Sequence, residues 1–267
     1  MDLSTTILVL KKTKLGETDL IITGFSEEGV HVRAVAKGAR KPGSRLGTRL
    51  ELFSVARVLI HEGRNLGIIR EAETVAGNEG CRSDVIHSAG AAVIVELLDR
   101  VSADGDREER LFLLAREALR CLGEVPEEGV VLIAAAAAMK IASQLGFKPS
   151  LKHCVCCGGE VQIEANGEAI EADRQSRQQT MPFSFDQGGV ICPDCLPEFV
   201  EEGHTTINAQ VLEWVDVLIT GRFIDITPFA NAEHRALGEL ILGFAGEWIS
   251  YHLVRRLKSL DFLLGFG

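Results

Sequence analysis

Five short strand-like segments before residue 80, a change to helical periodicity after it, and two C-x-x-C pairs between residues 154 and 195 predict an α+β multidomain protein. The first part reads as an N-terminal OB-type β-barrel, residues 1–80. An α-helical domain over 81–149 and 201–267 follows, with a zinc-ribbon-like module, 150–200, inserted into it.

The barrel is predicted from segments rich in β-branched and apolar residues, bounded by turn signals. Strands are expected over residues 6–11, 20–25, 30–37, 55–61 and 66–75, with turns at Leu15-Gly16-Glu17-Thr18, Ser26-Glu27-Glu28-Gly29 and Glu62-Gly63-Arg64-Asn65. Five strands in so short a span suit an OB-type barrel. In the third strand, alternation puts Val30, Val32, Ala34 and Ala36 on one face and His31, Arg33, Val35 and Lys37 on the other. Residues 38–48 are rich in glycine and contain proline, so they are expected to form a loop or a poorly ordered arm.

After Cys81 the period lengthens to about 3.6 residues. Asp84 or Ser83 is placed to cap a helix through Arg100 with Ile86, Ala89, Val93 and Leu97 on one face. Asp106 is placed to cap a second, carrying Leu111, Leu114, Ala115, Ala118 and Leu122 up to Gly123. A third, over 130–145, is apolar on nearly all sides and is expected to be surrounded by other helices before Gly146 and Pro149 end it. Residues 181–185 read as a strand leading to Gly188-Gly189. Residues 211–219 and one long segment, 232–257, return to helical periodicity; the latter aligns Leu237, Ile241, Phe244, Trp248, Tyr251 or His252, and Arg255.

Cys154-Val155-Cys156-Cys157-Gly158 and Cys192-Pro193-Asp194-Cys195 form two tight turns able to place four thiolates around one structural zinc ion, with Cys154, Cys157, Cys192 and Cys195 as ligands. The 34 residues between the pairs must fold out as a hairpin or mobile loop. Cys156, expected to point away, and His153 are the substitutes for a ligand. Seven cysteines and an N-terminus without signal-peptide character argue against a disulfide framework and for a reducing cytosol. Cys81 and Cys121 lie in apolar helical surroundings and read as core residues.

The chain of 267 residues carries a formal charge of −10, which argues against a protein that coats nucleic acid over its whole surface. The distribution is more informative. Residues 31–70 hold nine Lys and Arg against two Glu. Within them Arg33, Lys37, Arg40, Lys41, Arg45 and Arg49 occur with no intervening acid, a set that can follow a phosphate backbone by releasing counterions. The other reading of such a run is a solvated cationic face. Phe25 and Phe53 are the only aromatics in the first 80 residues and read as core, so binding should rest on phosphate and show little sequence preference. No phosphate-loop, nucleophile-elbow, kinase or H-E-x-x-H pattern is present, and the chain reads as a non-enzyme. The longest apolar run, ten residues, falls short of the roughly 20 that span a membrane.

Four stretches share their order with one family: Leu15-Gly16-Glu17-Thr18-Asp19; Ala36-Lys37-Gly38-Ala39-Arg40-Lys41 with Ser44-Arg45; Leu145-Gly146-Phe147-Lys148-Pro149 leading to Cys154; and Phe183-Ser184-Phe185 leading through Gly188-Gly189-Val190-Ile191 to Cys192. The chain thereby resembles RecO, the bacterial recombination mediators. The resemblance implies an OB-fold, a helical domain and a zinc module whose cysteines not all members keep. It also implies a non-catalytic, cytoplasmic, nucleoid-associated protein that binds single- and double-stranded DNA. Such a protein anneals strands coated by single-strand binding protein and, with RecR, helps load RecA. Carried over, the six cations would bind DNA and the four cysteines zinc. The acidic remainder of the chain departs from a second extended DNA surface and concentrates contact near residues 33–70. A zinc-ribbon adaptor that joins proteins without touching DNA is the alternative, and a zinc-water enzyme the third reading.

Overall fold

The structure is a computed structural model describing residues 2–63, 66–102, 107–162, 180–199, 203–253 and 256–265. β1 (Asp2–Leu15) is much longer than its apolar segment predicts because it serves two neighbours. Its first half pairs antiparallel with β4 (Val55–His61), its second half with β2 (Asp19–Ser26), and the register shifts between Val9 and Lys11 where it turns from one to the other. β2 continues into β3 (His31–Ala36), which pairs parallel with β5 (Gly67–Ala76), and β5 returns to β4. The result is a closed barrel of order β1-β2-β3-β5-β4, filled by Ile7, Val9, Ile22, Ala34, Ala36, Val58 and Ile69. The face assignment in β3 holds, with Ala34 and Ala36 buried and Arg33 exposed. Part of the predicted turn between β4 and β5, at residues 64–65, lies outside the described residues.

Residues 38–44 form turns, as expected of a loop, but 45–48 depart from the expectation. Ser44 accepts the Gly47 N–H and starts a short helix, α1 (Arg45–Arg49), whose Leu46 and the following Leu50 face the barrel. Two apolar residues four apart are enough to anchor one helical turn, a signal the glycines around it obscure.

Asp84 caps α2 (Val85–Val101) by accepting the His87 N–H at 2.8 Å. The next helix, α3 (Glu109–Leu122), begins after Glu108 rather than at a cap on Asp106, which lies outside the described residues. α4 (Val130–Gln144) is the hub, with twelve buried residues, and it meets α2, α3 and two later helices, α5 (Ala209–Thr220) and α7 (Arg235–His252). A short α6 (Phe223–Ile226) precedes α7.

The long helix expected over 232–257 is shorter, and a further, unexpected helix follows it. A 3-10 turn at Ala232–His234 precedes α7, and α8 (Lys258–Leu264) is a separate helix. The Glu96 carboxylate of α2 accepts the Ser259 N–H at 2.9 Å and its hydroxyl at 2.6 Å, so the start of α8 is satisfied from across the core rather than from its own sequence. Ile241, Phe244 and Trp248 are buried as read, Tyr251 is exposed, and Arg255 lies outside the described residues.

Barrel and helices meet at a close backbone approach. Gly29, in the β2–β3 turn with φ +76°, accepts the Glu108 N–H at 3.2 Å, and a Cβ there would lie 2.3 Å from the Glu108 nitrogen. His31 of β3 adds a 2.9 Å interaction with Asp99 of α2.

Candidate nucleic-acid interface and metal centre

The four cysteines are assembled by backbone rather than by packing alone. Ser150 and Val155 bond to the short strand β7 (Gly189–Val190), setting the first C-x-x-C turn directly beside the second. β7 belongs to a three-stranded sheet with β6 (Thr180–Ser184) and β8 (Thr205–Asn208). In the first turn Gly158 N–H donates to Cys154 O at 2.9 Å and Cys154 N–H to Gly159 O at 2.8 Å; in the second, Cys195 N–H donates to Cys192 O at 3.2 Å. The Cys154, Cys157, Cys192 and Cys195 sulfurs lie within 4.8 Å of one another, and Cys157 Sγ is 3.8 Å from Cys192 Sγ. A tetrahedron of sulfurs about 2.3 Å from a metal has edges of about 3.8 Å, so the set fits one ion.

The electrostatics agree. Burial opposes ionisation of Cys154, yet N–H groups aimed at its sulfur, the Cys192 N–H at 3.3 Å among them, outweigh it and hold this thiol down at about 6. Hydrogen bonding with the Cys192 sulfur, followed by burial, pushes the Cys195 thiol up. Clustered thiolates repel one another until a cation sits among them. Half of the 34 residues between the pairs, 163–179, lie outside the described residues. Cys81 and Cys121 are core thiols as read, pushed up to about 12 and about 11, chiefly by burial.

The module is braced on the helical body. Phe183 of β6 packs edge-on against Phe244 and Trp248 of α7, and Trp248 Nε1 donates to Phe147 O at 2.9 Å in the turn that leads from α4 into the module. His252 lies 4.1 Å from the Trp248 ring, with Nε2 buried and unpaired.

All six cations are exposed on the barrel: Arg33 on β3, Lys37 just after it, Arg40 and Lys41 in the next turn, Arg45 and Arg49 on α1. Two are held in place. Arg40 Nη1 donates to Glu17 O at 2.8 Å and to Gly16 O at 3.2 Å, and Arg49 Nη1 donates to Ala72 O at 2.8 Å. Asp19 accepts the Gly38 N–H at 2.7 Å, which with the Thr18 hydroxyl keeps its carboxyl below the usual range and fixes the loop base. Gly47 is required by α1 itself, since a Cβ would lie 2.2 Å from Ala39 O.

Sequence reading missed the cations that other strands bring alongside. Lys12 and Lys14 of β1 line a groove with Arg40 and Lys41, and Arg57 of β4 and Arg70 of β5 line another with Arg45 and Arg49. Lys12 and Lys14 sit two apart, so a strand extended past residue 11 would have revealed that pair. Arg57 and Arg70 count among the cations of the basic stretch 31–70 but are not singled out there, since nothing local places them beside α1.

A closed five-stranded barrel with a cationic face, joined to helices and to a small sheet that carries a four-cysteine centre, defines an OB-type protein with a metal-binding module. Residues 1–78 match the family model for recombination protein O N terminal, and residues 82–168 the model for recombination protein O C terminal. The DNA repair protein RecO of Symbiobacterium thermophilum is 32% identical over 96% of this chain and 94% of its own. The RecO proteins of Desulforamulus reducens, 28% identical over 96% of this chain and 91% of theirs, and Bifidobacterium longum, 32% over 95% and 95%, are also similar. The chain belongs to the RecO family of DNA repair proteins. No helix among the described residues is long and apolar enough to cross a membrane.

Proposed function

We propose that the protein is a non-catalytic recombination mediator that binds single- and double-stranded DNA through Arg33, Lys37, Arg40, Lys41, Arg45 and Arg49. The observation carrying this reading is that all six lie exposed on one closed barrel, two of them already fixed by backbone carbonyls. A guanidinium held by one donor keeps others for phosphate, so ordering cost is lowered before DNA arrives. Neutralised phosphates let two like-charged strands approach, and base pairing then drives annealing without ATP. By family, the strands are those coated by single-strand binding protein, and RecR is the partner with which RecA is loaded, in the bacterial cytoplasm at the nucleoid.

Cys154, Cys157, Cys192 and Cys195 would hold one structural zinc, since four thiolates complete its coordination and leave no position open for a reactive water. The chain would then work as a DNA-binding barrel at 1–80, a helical body at 81–149 with 201–267, and a zinc-binding module at 150–200. Annealing of complementary oligonucleotides by wild type and by the R40A/K41A/R45A variant tests the reading. Annealing by wild type and at least tenfold slower annealing by the folded variant is expected. Equal rates would move function to an adaptor role.

A further inference from the structure

The cationic face is not one surface. α1 divides it. Helical positions advance by about 100° per residue, so Arg45, Leu46 and Arg49 share one side of α1 while Ser44, Gly47 and Thr48 share the opposite side. The first set lines one groove and the second set the other. Each groove has a volume of about 580 Å³. Among the described residues the first is lined by Arg45, Arg49, Arg57 and Arg70 against Glu71 and Glu73, and the second by Lys12, Lys14, Arg40 and Lys41 against Glu51.

We propose that the two grooves hold two DNA strands at once, one on each side of α1. This rests on the DNA-binding reading above and goes beyond it, because that reading needs only one track. A helix with its side chains is about 10–12 Å across, so α1 keeps the two tracks apart as separate channels. The carboxylates do not close either track. Arg57 meets Glu73 at 3.5 Å in an exposed pair that a phosphate can replace, and Lys12 meets Glu51 at 2.9 Å in a half-buried pair at one side of its groove, which leaves Lys14, Arg40 and Lys41 exposed to a phosphate. The grooves differ in chemistry. Four arginines favour forked, two-point binding that holds a strand in register, whereas three lysines and one arginine favour looser point charges that let the other strand slide.

The experiment mixes the zinc-loaded full chain with donor-labelled and acceptor-labelled dT oligonucleotides, which cannot pair with each other, and reads stoichiometry by sedimentation and proximity by energy transfer. Two strands per chain with energy transfer are expected for wild type. K14A/K41A and R57A/R70A, all exposed positions checked for folding by thermal melting, should each keep one strand, lose energy transfer, and anneal complementary strands at least tenfold more slowly while single-strand affinity falls only a few-fold. One strand per chain at saturation, or annealing that falls only in step with single-strand affinity in both variants, would overturn the proposal while leaving the DNA-binding reading intact. Absence of binding by wild type at low salt would overturn both.

Discussion

The four-cysteine centre and the cationic face are built in opposite ways. In the first, two short turns closed by their own backbone hydrogen bonds bring four sulfurs within 4.8 Å, two of them buried. In the second, long exposed side chains ride on a barrel end, and the cations opposite them arrive from β1, β4 and β5. In the first, backbone hydrogen bonds close the turns that carry the ligands; in the second, carbonyls hold Arg40 and Arg49 while the side chains stay exposed. A metal tolerates little positional error, while a phosphate chain accepts charge from any nearby direction. The molecule groups its ligands most closely where the bound species demands it.

Metal removal should break this contrast most severely. Structural zinc contributes on the order of 10 kcal/mol or more to small isolated modules. Stripping it from this chain, or making C154S or C192S, is expected to abolish amide-exchange protection around residues 150–162 and 183–196 while the barrel keeps its own. C156S should bind one metal per chain like wild type, as inductively coupled plasma analysis would show; loss of metal in C156S would assign Cys156 as a ligand instead.

The junction between the two regions comes next. Gly29→Ala introduces a Cβ 2.3 Å from the Glu108 nitrogen at a left-handed backbone position. A cost of about 1–3 kcal/mol is expected in denaturant unfolding, with single-strand affinity unchanged. A variant as stable as wild type would show that barrel and helices adjust freely to each other.

A smaller effect separates the bracing of the module from the metal itself. Burial, the largest influence on His252, depresses its folded pKa below the ordinary 6.5, against the opposing pull of the Phe185 backbone and Asp186. The unfolded chain therefore binds more protons as pH falls through 6.5, and stability is lost in that direction. H252F should flatten this slope between pH 7 and pH 5 in thermal melts, without changing metal content. An unchanged slope would place the acid sensitivity elsewhere.

Much of this was legible in the residues. The two C-x-x-C turns are local, so the spacing of Cys154, Cys157, Cys192 and Cys195 was enough to group them. The barrel was legible because Ala34 and Ala36 alternate with Arg33 and Val35, and Asp84 announced α2 three residues ahead of the N–H it caps. What could not be read depends on distance in sequence. Glu96 caps α8 from 163 residues away, so nothing near Ser259 announced the last helix. α1 was hidden because Gly43 and Gly47 look like loop residues until Ala39 O is seen beside Gly47. Arg57 and Arg70 join the cationic face only once β4 and β5 are paired beside α1.

The central claim is that the cationic face of the barrel binds phosphate, and the most direct test is single-strand affinity across a salt series. Zinc-loaded wild type should bind a fluorescent mixed-sequence oligonucleotide with log affinity falling linearly in log salt. R40A/K41A/R45A should bind more weakly at low salt, with the slope reduced by about 2, from roughly 0.7 for each phosphate no longer neutralised. Equal affinity and equal slope for the two proteins would contradict the account.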